Sequence, residues 1–150
     1  MTLIINDRTY TKELAPQGLQ AAVCVDALDI GLQETLWGDK EKVMLIFELE
    51  AEDSNGERFL LQKRYTKSLN EKSNLRKDLE RWRGKPFSSK TLQDGFNLKA
   101  VIGVPAMLYI NHRETEKGTW ADVDSILPAP DLQLQPSGNY QRAVTNGKSS

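Results

Sequence analysis

The fold is decided by the stretch from residue 43 to residue 67, which reads VMLIFELEAEDSNGERFLLQKRYTK. In Val43–Glu50 the core-type apolar residues fall on alternate positions, and this period of two predicts a β-strand. Asp53–Glu57 then contains Asn-Gly, the residue pair that favours a tight hairpin turn. Arg58–Lys67 is therefore expected to return antiparallel to the first strand.

A further strand is expected on the N-terminal side of this hairpin. Gln20–Ile30 carries Ala and Val in alternation, and Gly31 marks a bulge or turn after it. Leu32–Lys42 is mostly polar and places Trp37 beside a glycine, so we expect it to be a loop. Residues 1–18 are expected to form an edge strand or an N-terminal arm.

A helix and two more strands are expected on the C-terminal side. Ser68–Glu71 has the Ser-x-x-Glu spacing of a capping box and predicts the start of the helix. Leu75, Leu79 and Trp82 form one apolar stripe on it, and a glycine followed by Lys-Pro ends it. Short helical turns are expected at Ser88–Asp94 and Phe96–Ile102. The last two predicted strands are Pro105–His112 and Trp120–Leu127.

This order of elements predicts a mainly β domain. Three strands, a helix and two strands match a five-stranded Greek-key barrel of the OB-fold class, whose helix lies between strands three and four. The same pattern also permits another small α+β sheet. We expect the domain to occupy residues 1–128. Residues 129–150 are expected to be a disordered tail, because Leu132, Leu134 and Val144 bury too little area to offset the ordering entropy.

The amino-acid composition limits which catalytic and metal sites the chain can form. The 150 residues are 39% hydrophobic and 27% charged, which is ordinary for a globular domain. One histidine, His112, and one cysteine, Cys24, supply neither a structural zinc site nor a histidine triad with a spare base. We therefore expect no enzyme, no metal and no cofactor. No apolar run approaches the roughly 20 residues of a membrane helix, and no secretory signal or disulfide is present, so the sequence predicts a cytoplasmic protein without a membrane partner.

The net charge of −1 hides an uneven distribution. Gln20–Glu57 contains ten acidic and two basic residues, whereas Arg58–Lys90 contains eleven basic and three acidic residues. A basic segment in a nearly neutral chain indicates a local anion-binding surface. The alternative is that the two segments neutralise each other as solvated ion pairs across the fold.

Tyr65–Phe87, which reads YTKSLNEKSNLRKDLERWRGKPF, resembles a family of small bacteriophage and prophage proteins labelled replication-initiation or single-stranded DNA-binding proteins. The likeness continues through Asp29–Gly31, Phe96–Leu98, Ile102–Leu108, His112 and Ser125–Pro128. The resemblance implies an OB-like domain that acts in phage DNA replication or recombination in the bacterial host, and it assigns no catalytic residue. The chain departs from replicative single-strand binders because its C-terminal segment is not acidic.

Single-strand binding needs cations for the phosphates and flat rings for the bases. Residues 63–67 supply both on one predicted strand, although the register leaves open whether Lys63 or Arg64 faces the groove. Tyr65 has a second interpretation as a core residue, and the helix cations Lys72 and Arg76 have one as solvated surface charges. The candidate nucleic-acid-binding residues are Trp37, Lys42, Lys63, Arg64, Tyr65, Lys67, Arg76, Arg113, Lys117 and Trp120.

The three tryptophans differ in their expected environments. Trp37 has few local apolar neighbours and is expected either to stack on bases or to cover the barrel end. Trp82 lies on the apolar helical stripe and is expected in the core. Trp120 begins the last strand beside a charged turn, and its side chain is expected either in the core or at the rim of the groove.

The sequence thus predicts a single-stranded DNA-binding protein without catalytic activity, which works with phage or host replication proteins. The alternative is a replisome protein-interaction module with the same fold and no direct contact with DNA. Met44 and Ile46 on the outer face of the second strand favour that alternative, or a homodimer interface.

Overall fold

Five antiparallel strands form one sheet in a computed structural model that describes residues 13–142. The strand order across the sheet is β3-β2-β1-β4-β5, so that the mainly β architecture predicted from the sequence is confirmed. In chain order the elements are β1 (Gly18–Thr35), β2 (Gly38–Glu52), β3 (Arg58–Thr66), α1 (Asn74–Arg83), α2 (Ser89–Asp94), a 3₁₀ turn (Leu98–Val101), β4 (Pro105–Thr115) and β5 (Gly118–Leu127). The helix between the third and fourth strands is present as expected.

The alternation in β2 separates a core face from an outer face. Val43, Leu45, Phe47 and Leu49 are all buried in the main core. Residues directly opposite each other on antiparallel strands share a face, so the pairing of Met44 with Arg64 puts Arg64 on the outer face. Three rows of residues cross β1, β2 and β3 on this outer face: Leu28–Met44–Arg64, Asp26–Ile46–Gln62 and Val23–Glu48–Leu60.

β1 carries an extra residue at Val25. The pairing with β2 shifts between Cys24 and Asp26, which is the pattern of a β-bulge. Cys24 before the bulge and Ala27 after it both join the main core, whereas Asp26 lies on the outer face. A carboxylate in the middle of an apolar strand is therefore kept out of the core.

The two edge strands of the sheet approach each other without pairing. The Lys63 ammonium on β3 donates a 2.8 Å hydrogen bond to the Val123 carbonyl on β5. Within residues 13–142 no strand ladder joins β3 to β5, so the sheet is open. α1 covers the core side through Leu75, Leu79 and Trp82, as the apolar stripe predicted.

α1 begins five residues later than the capping box predicted. Ser73 is its N-cap, because the Ser73 hydroxyl accepts a 3.1 Å hydrogen bond from the Arg76 amide. The Ser68 hydroxyl instead accepts from the Asn70 amide at 3.0 Å and closes a local turn. The Ser-x-x-Glu spacing was wrong here because a serine that bonds two residues ahead competes with helix formation.

The predicted loop at Leu32–Lys42 is instead a two-stranded ribbon. β1 and β2 stay paired from Gly31–Lys42 to Thr35–Gly38, so the turn consists of Leu36 and Trp37. Both faces of this ribbon are largely solvated. A ribbon without a buried face has no hydrophobic period, and for this reason the sequence pattern did not indicate strands.

The prediction of a disordered tail is wrong for residues 129–142, which we call the C-terminal strap. The strap forms no helix or strand, yet it lies on the outer face of β1 and β2, where Leu134 is only 6% exposed and packs with Val23 and Val25. The strap shields the apolar side chains of Val23 and Val25 on β1 from water. Two outer-face carboxylates, Asp26 and Glu48, also accept hydrogen bonds from it. Residues 1–12 and 143–150 lie outside the described residues, and with them most of the N-terminal strand or arm expected over residues 1–18 and the end of the expected tail. Residues 13–17 form no strand, and Gly18 already belongs to β1.

Candidate nucleic-acid interface

A polar groove of about 450 Å³ runs between the β2–β3 edge and the start of α1. Its lining contains four cations and no carboxylate, although acidic residues are as numerous as basic ones in the chain. We call it the cationic groove. It is lined by Lys42, Lys63, Arg64, Tyr65, Thr66, Ser68, Asn70, Lys72, Ser73 and Asn74.

The strand register answers which of Lys63 and Arg64 faces outward. Arg64 is exposed on the outer face beside Met44, and no hydrogen bond or ion pair holds its guanidinium within the described part of the chain. Lys63 pairs with Leu45 and therefore starts on the core side of the sheet. Its ammonium extends to the edge of the groove, where it bonds to the Val123 carbonyl of β5 and lies 5.6 Å from the centre of the Tyr65 ring. Arg64 is thus the more available cation for a ligand.

Two lysines complete the positive charge of the groove. The Lys42 ammonium donates to the Thr66 hydroxyl at 3.1 Å across the β2–β3 pair. Lys72 is exposed in the loop before α1, and its amide donates to the Asn70 side chain at 2.9 Å. The groove therefore presents cations beside hydroxyl and amide groups, which together are the usual partners of phosphate oxygens.

The stacking role expected for Tyr65 is wrong. The ring is only 3% exposed, and the hydroxyl donates a 2.6 Å hydrogen bond to Asp78 Oδ2 on α1. Burial, and next the Asp78 carboxylate, raise the pKa of the Tyr65 hydroxyl well above its ordinary value. Val43, its partner on β2, faces the core, and this register takes Tyr65 inward with it.

Three predicted cations do not line the cationic groove and are held in ion pairs. Lys67 bonds to Asp29 at 2.7 Å, and this contact raises the pKa of the Lys67 ammonium. Arg76 bonds to Glu80 at 3.2 Å along α1. Arg113 pairs with Asp122 across the β4–β5 hairpin, which raises the pKa of the arginine. The expected phosphate contacts of these three residues are not supported by the geometry.

A second groove of about 800 Å³ lies between β3, β5 and residues 13–15. Arg64 lines both grooves and joins them, and Trp120 lines the second one. The Trp120 ring is 44% exposed, and its indole N–H donates to the Thr115 hydroxyl at 3.2 Å. Trp120 is thus a groove-rim residue with a fixed ring rather than a core residue.

The remaining predicted residues lie at hairpin tips. Trp37 is 83% exposed beside Leu36, which is 95% exposed, at the end of the β1–β2 ribbon. At a strand rise of about 3.3 Å per residue, the ribbon carries Trp37 roughly 15 Å beyond Lys42. Lys117 is exposed in the turn between β4 and β5. Neither residue lines the cationic groove or the Trp120 groove.

Lys72 was predicted only as one of several helix cations with two interpretations, and the groove asparagines Asn70 and Asn74 were not among the predicted site residues. The capping box placed Lys72 on a helix face among other solvated charges, whereas the true N-cap leaves it in the loop. The dense polar spacing of Ser68, Asn70, Ser73 and Asn74 before the apolar stripe is a turn signal that indicates this loop.

The expected absence of an enzyme and of a metal centre stays a prediction. Over residues 13–142 no group of three His, Cys, Asp or Glu side chains could hold a metal ion, and no helix of that range is long and apolar enough to cross a membrane. Cys24 is buried, and burial raises the pKa of its thiol to about 12. Buried thiols of this kind are unreactive at neutral pH.

No protein-family model matches the chain. No curated protein matches it significantly either. The resemblance of Tyr65–Phe87 to phage replication proteins therefore stays a prediction, and the functional inference depends on the surface itself.

Proposed function

We propose that the protein binds single-stranded DNA through the cationic groove. The observation that carries this proposal is the groove lining, in which Lys42, Lys63, Arg64 and Lys72 converge without a carboxylate. A cluster of cations without a carboxylate on a nearly neutral protein attracts a polyanion. The exposed Arg64 and Lys72 side chains in particular have no ion pair within residues 13–142 that phosphate would have to replace.

The neighbouring aromatic ring supports a single strand rather than a duplex as the ligand. Arg64 lines both the cationic groove and the neighbouring groove that contains Trp120. The Trp120 side chain is partly exposed, and its indole N–H donates a hydrogen bond to Thr115. Unpaired bases can stack on such a ring, and each stacked base contributes roughly 1–3 kcal/mol without sequence preference. In a duplex the bases are already stacked on each other.

We infer that the open sheet has the OB-fold topology of a partly open barrel, in which the β3 and β5 edges face each other across the Lys63–Val123 contact. The position of the helix between the third and fourth strands supports this, as does the pairing of β1 with both β2 and β4. OB-folds bind oligonucleotides on the face of strands two and three. With the resemblance to phage proteins, this favours a role in phage DNA replication or recombination in the bacterial cytoplasm.

The test is a titration of labelled oligo-dT, followed by fluorescence anisotropy at several salt concentrations. Each phosphate neutralised on a single strand contributes about 0.7 to the slope of log affinity against log salt. Four groove cations therefore predict a slope of about three. A duplex of the same length is expected to bind more weakly, because it offers no bases to Trp120.

Charge reversal locates the site. Arg64→Glu and Lys72→Glu are each expected to weaken binding and to lower the salt slope by at least the contribution of one contact, about 0.7, without a change in melting temperature. The matched control is Lys85→Glu, an exposed lysine outside the groove in the turn after α1. Equal losses for Lys85→Glu and Arg64→Glu would indicate general charge attraction and reject the groove.

A protein-interaction module is the second candidate function. Ile46 no longer favours it, because this residue packs against the cluster that contains Leu134 of the strap. The exposed Leu36–Trp37 tip does favour it, since a large apolar side chain in full contact with water is typical of a binding surface. Under this function the protein binds neither single-stranded nor duplex DNA in the titration.

A further inference from the structure

The C-terminal strap bonds to two carboxylates on the outer face of the sheet. Glu48 accepts hydrogen bonds from the Ser137 amide and the Ser137 hydroxyl, each at 2.7 Å, and pairs with Arg58 at 3.1 Å. Asp26 accepts from the Tyr140 hydroxyl at 2.9 Å and from the Arg142 guanidinium at 3.3 Å. Both carboxylates are almost completely shielded from water. A buried carboxylate is tolerated only with such partners.

These carboxylates lie close to the cationic groove. Asp26 belongs to the outer row next to the row that ends in Arg64. From the strand spacing and rise, the two backbone positions are about 12 Å apart. A displaced strap would withdraw the Arg142 charge from Asp26 and the Ser137 donors from Glu48, whereas Glu48 would keep its ion pair with Arg58 on β3. The Arg142 side chain is half exposed when the strap is in place.

We propose that closure of the C-terminal strap and the binding of single-stranded DNA favour each other. This inference rests on the proposed function and adds a regulatory element to the same surface. The closed strap brings the Arg142 cation to the outer face, where it balances the charge of Asp26. A polyanion in the groove then disfavours opening, because opening would remove the Arg142 cation from Asp26, which lies in the row next to Arg64.

Coupling between two sites is reciprocal, so it can be measured from either side. On the strap side the readout is hydrogen exchange of the Ser137 amide, which donates to Glu48 and is protected only while the strap is closed. We expect oligo-dT to slow this exchange. On the DNA side the readout is the affinity for oligo-dT.

The strap is loosened with Leu134→Ala, which removes its apolar anchor without changing any charge. We expect faster exchange at Ser137 and about fivefold weaker binding of oligo-dT, at the lower end of ordinary coupling between sites. Leu19→Ala removes the same atoms from an exposed position of β1 and is the control. Should Leu134→Ala fold poorly, Tyr140→Phe removes one hydrogen bond to Asp26 and serves instead.

The outcomes separate this inference from the proposed function. If Leu134→Ala exchanges faster but binds oligo-dT as well as the unaltered chain, the coupling is absent and the strap is only a cover. Tighter binding would show that the strap competes with DNA, which also overturns the proposal. If the unaltered chain does not bind oligo-dT at all, the proposed function fails and the coupling with it.

Discussion

Tyr65 on β3 and Asp78 on α1 are joined by a 2.6 Å hydrogen bond between the phenol and one carboxylate oxygen, and Arg81 holds the other oxygen at 2.9 Å. This contact joins the groove-bearing strand to the helix whose first residues form the opposite wall of the cationic groove. The two walls therefore keep a fixed distance because a buried polar contact, rather than solvent-exposed charges, connects them.

Removal of the phenol oxygen is expected to destabilise the fold. Tyr65→Phe leaves a mostly buried Asp78 oxygen without its donor, which costs about 1–3 kcal/mol of the free energy of unfolding. Urea unfolding at neutral pH measures the loss. Tyr109→Phe is the control, because Tyr109 is partly exposed and no hydrogen bond of its hydroxyl is present within residues 13–142. Similar stabilities for the two variants would contradict the structural role of the Tyr65–Asp78 pair.

The buried thiol of Cys24 predicts a loss of stability in alkali. Its pKa is raised to about 12 in the folded protein, chiefly by burial, from an ordinary value near 9. Above pH 9 the unfolded chain releases this proton while the folded chain keeps it. The stabilisation is therefore complete below pH 9 and decreases as the pH rises toward 12. Between these values the free energy of unfolding of Cys24→Ala should decrease less steeply than that of the unaltered chain.

Trp82 and Trp120 should respond to truncation in opposite ways. The Trp82 ring lies 5.5 Å from the Phe47 ring, and its indole N–H donates to the Pro105 carbonyl at 2.8 Å. Trp82→Ala is expected to cost roughly 3–5 kcal/mol, as for large-to-small changes in a packed core. Trp120→Ala should melt near the unaltered temperature. Thermal melting of both variants tests this difference. A Trp120→Ala variant as unstable as Trp82→Ala would show that the Trp120 ring is packed in the core.

Base stacking is expected at Trp120 before Trp37. Trp120 shares its groove with Arg64, whereas Trp37 lies at the ribbon tip, roughly 15 Å from Lys42 along the strand. Trp120→Ala should weaken oligo-dT binding about tenfold, near the lower end of the stacking range. Trp37→Ala should affect only oligonucleotides that are long enough to reach the tip. Titrations with a short and a long oligo-dT distinguish these two contributions, and equal effects with the short one contradict this assignment.

The alternation of Val43–Glu50 and the apolar stripe of α1 could be predicted from the sequence, because each of these elements buries one face. The same criterion was uninformative for the β1–β2 ribbon, which buries neither face. The capping-box spacing misplaced the helix start, because Ser68 and Ser73 offer similar side chains and only the local hydrogen bonds decide between them.

The sequence indicated which kinds of residue form the candidate site, but it did not indicate which of them the fold brings together. The excess of cations in Arg58–Lys90 indicated an anion-binding surface, and Lys42, Lys63 and Arg64 do line one groove. The partners of Lys67 and Arg76 depend on which acidic residues the fold brings beside them, and charge counts along the chain contain no such information. The strap escaped prediction because its partners, Asp26 and Glu48, are about 90 to 115 residues away in sequence.

The extra residue at Val25 has a consequence for insertions and deletions. If Val25 paired as an ordinary strand residue, the strict alternation of β1 would turn Asp26 toward the core side and Ala27 toward the outside. Deletion of Val25, in contrast, would leave both residues on their present sides, because Cys24 and Asp26 already pair with the consecutive residues Phe47 and Ile46. At this place in the chain, the division of β1 into a core side and an outer side therefore survives the loss of one residue, and what is lost is the place of Val25 in the cluster with Val23 and Leu134.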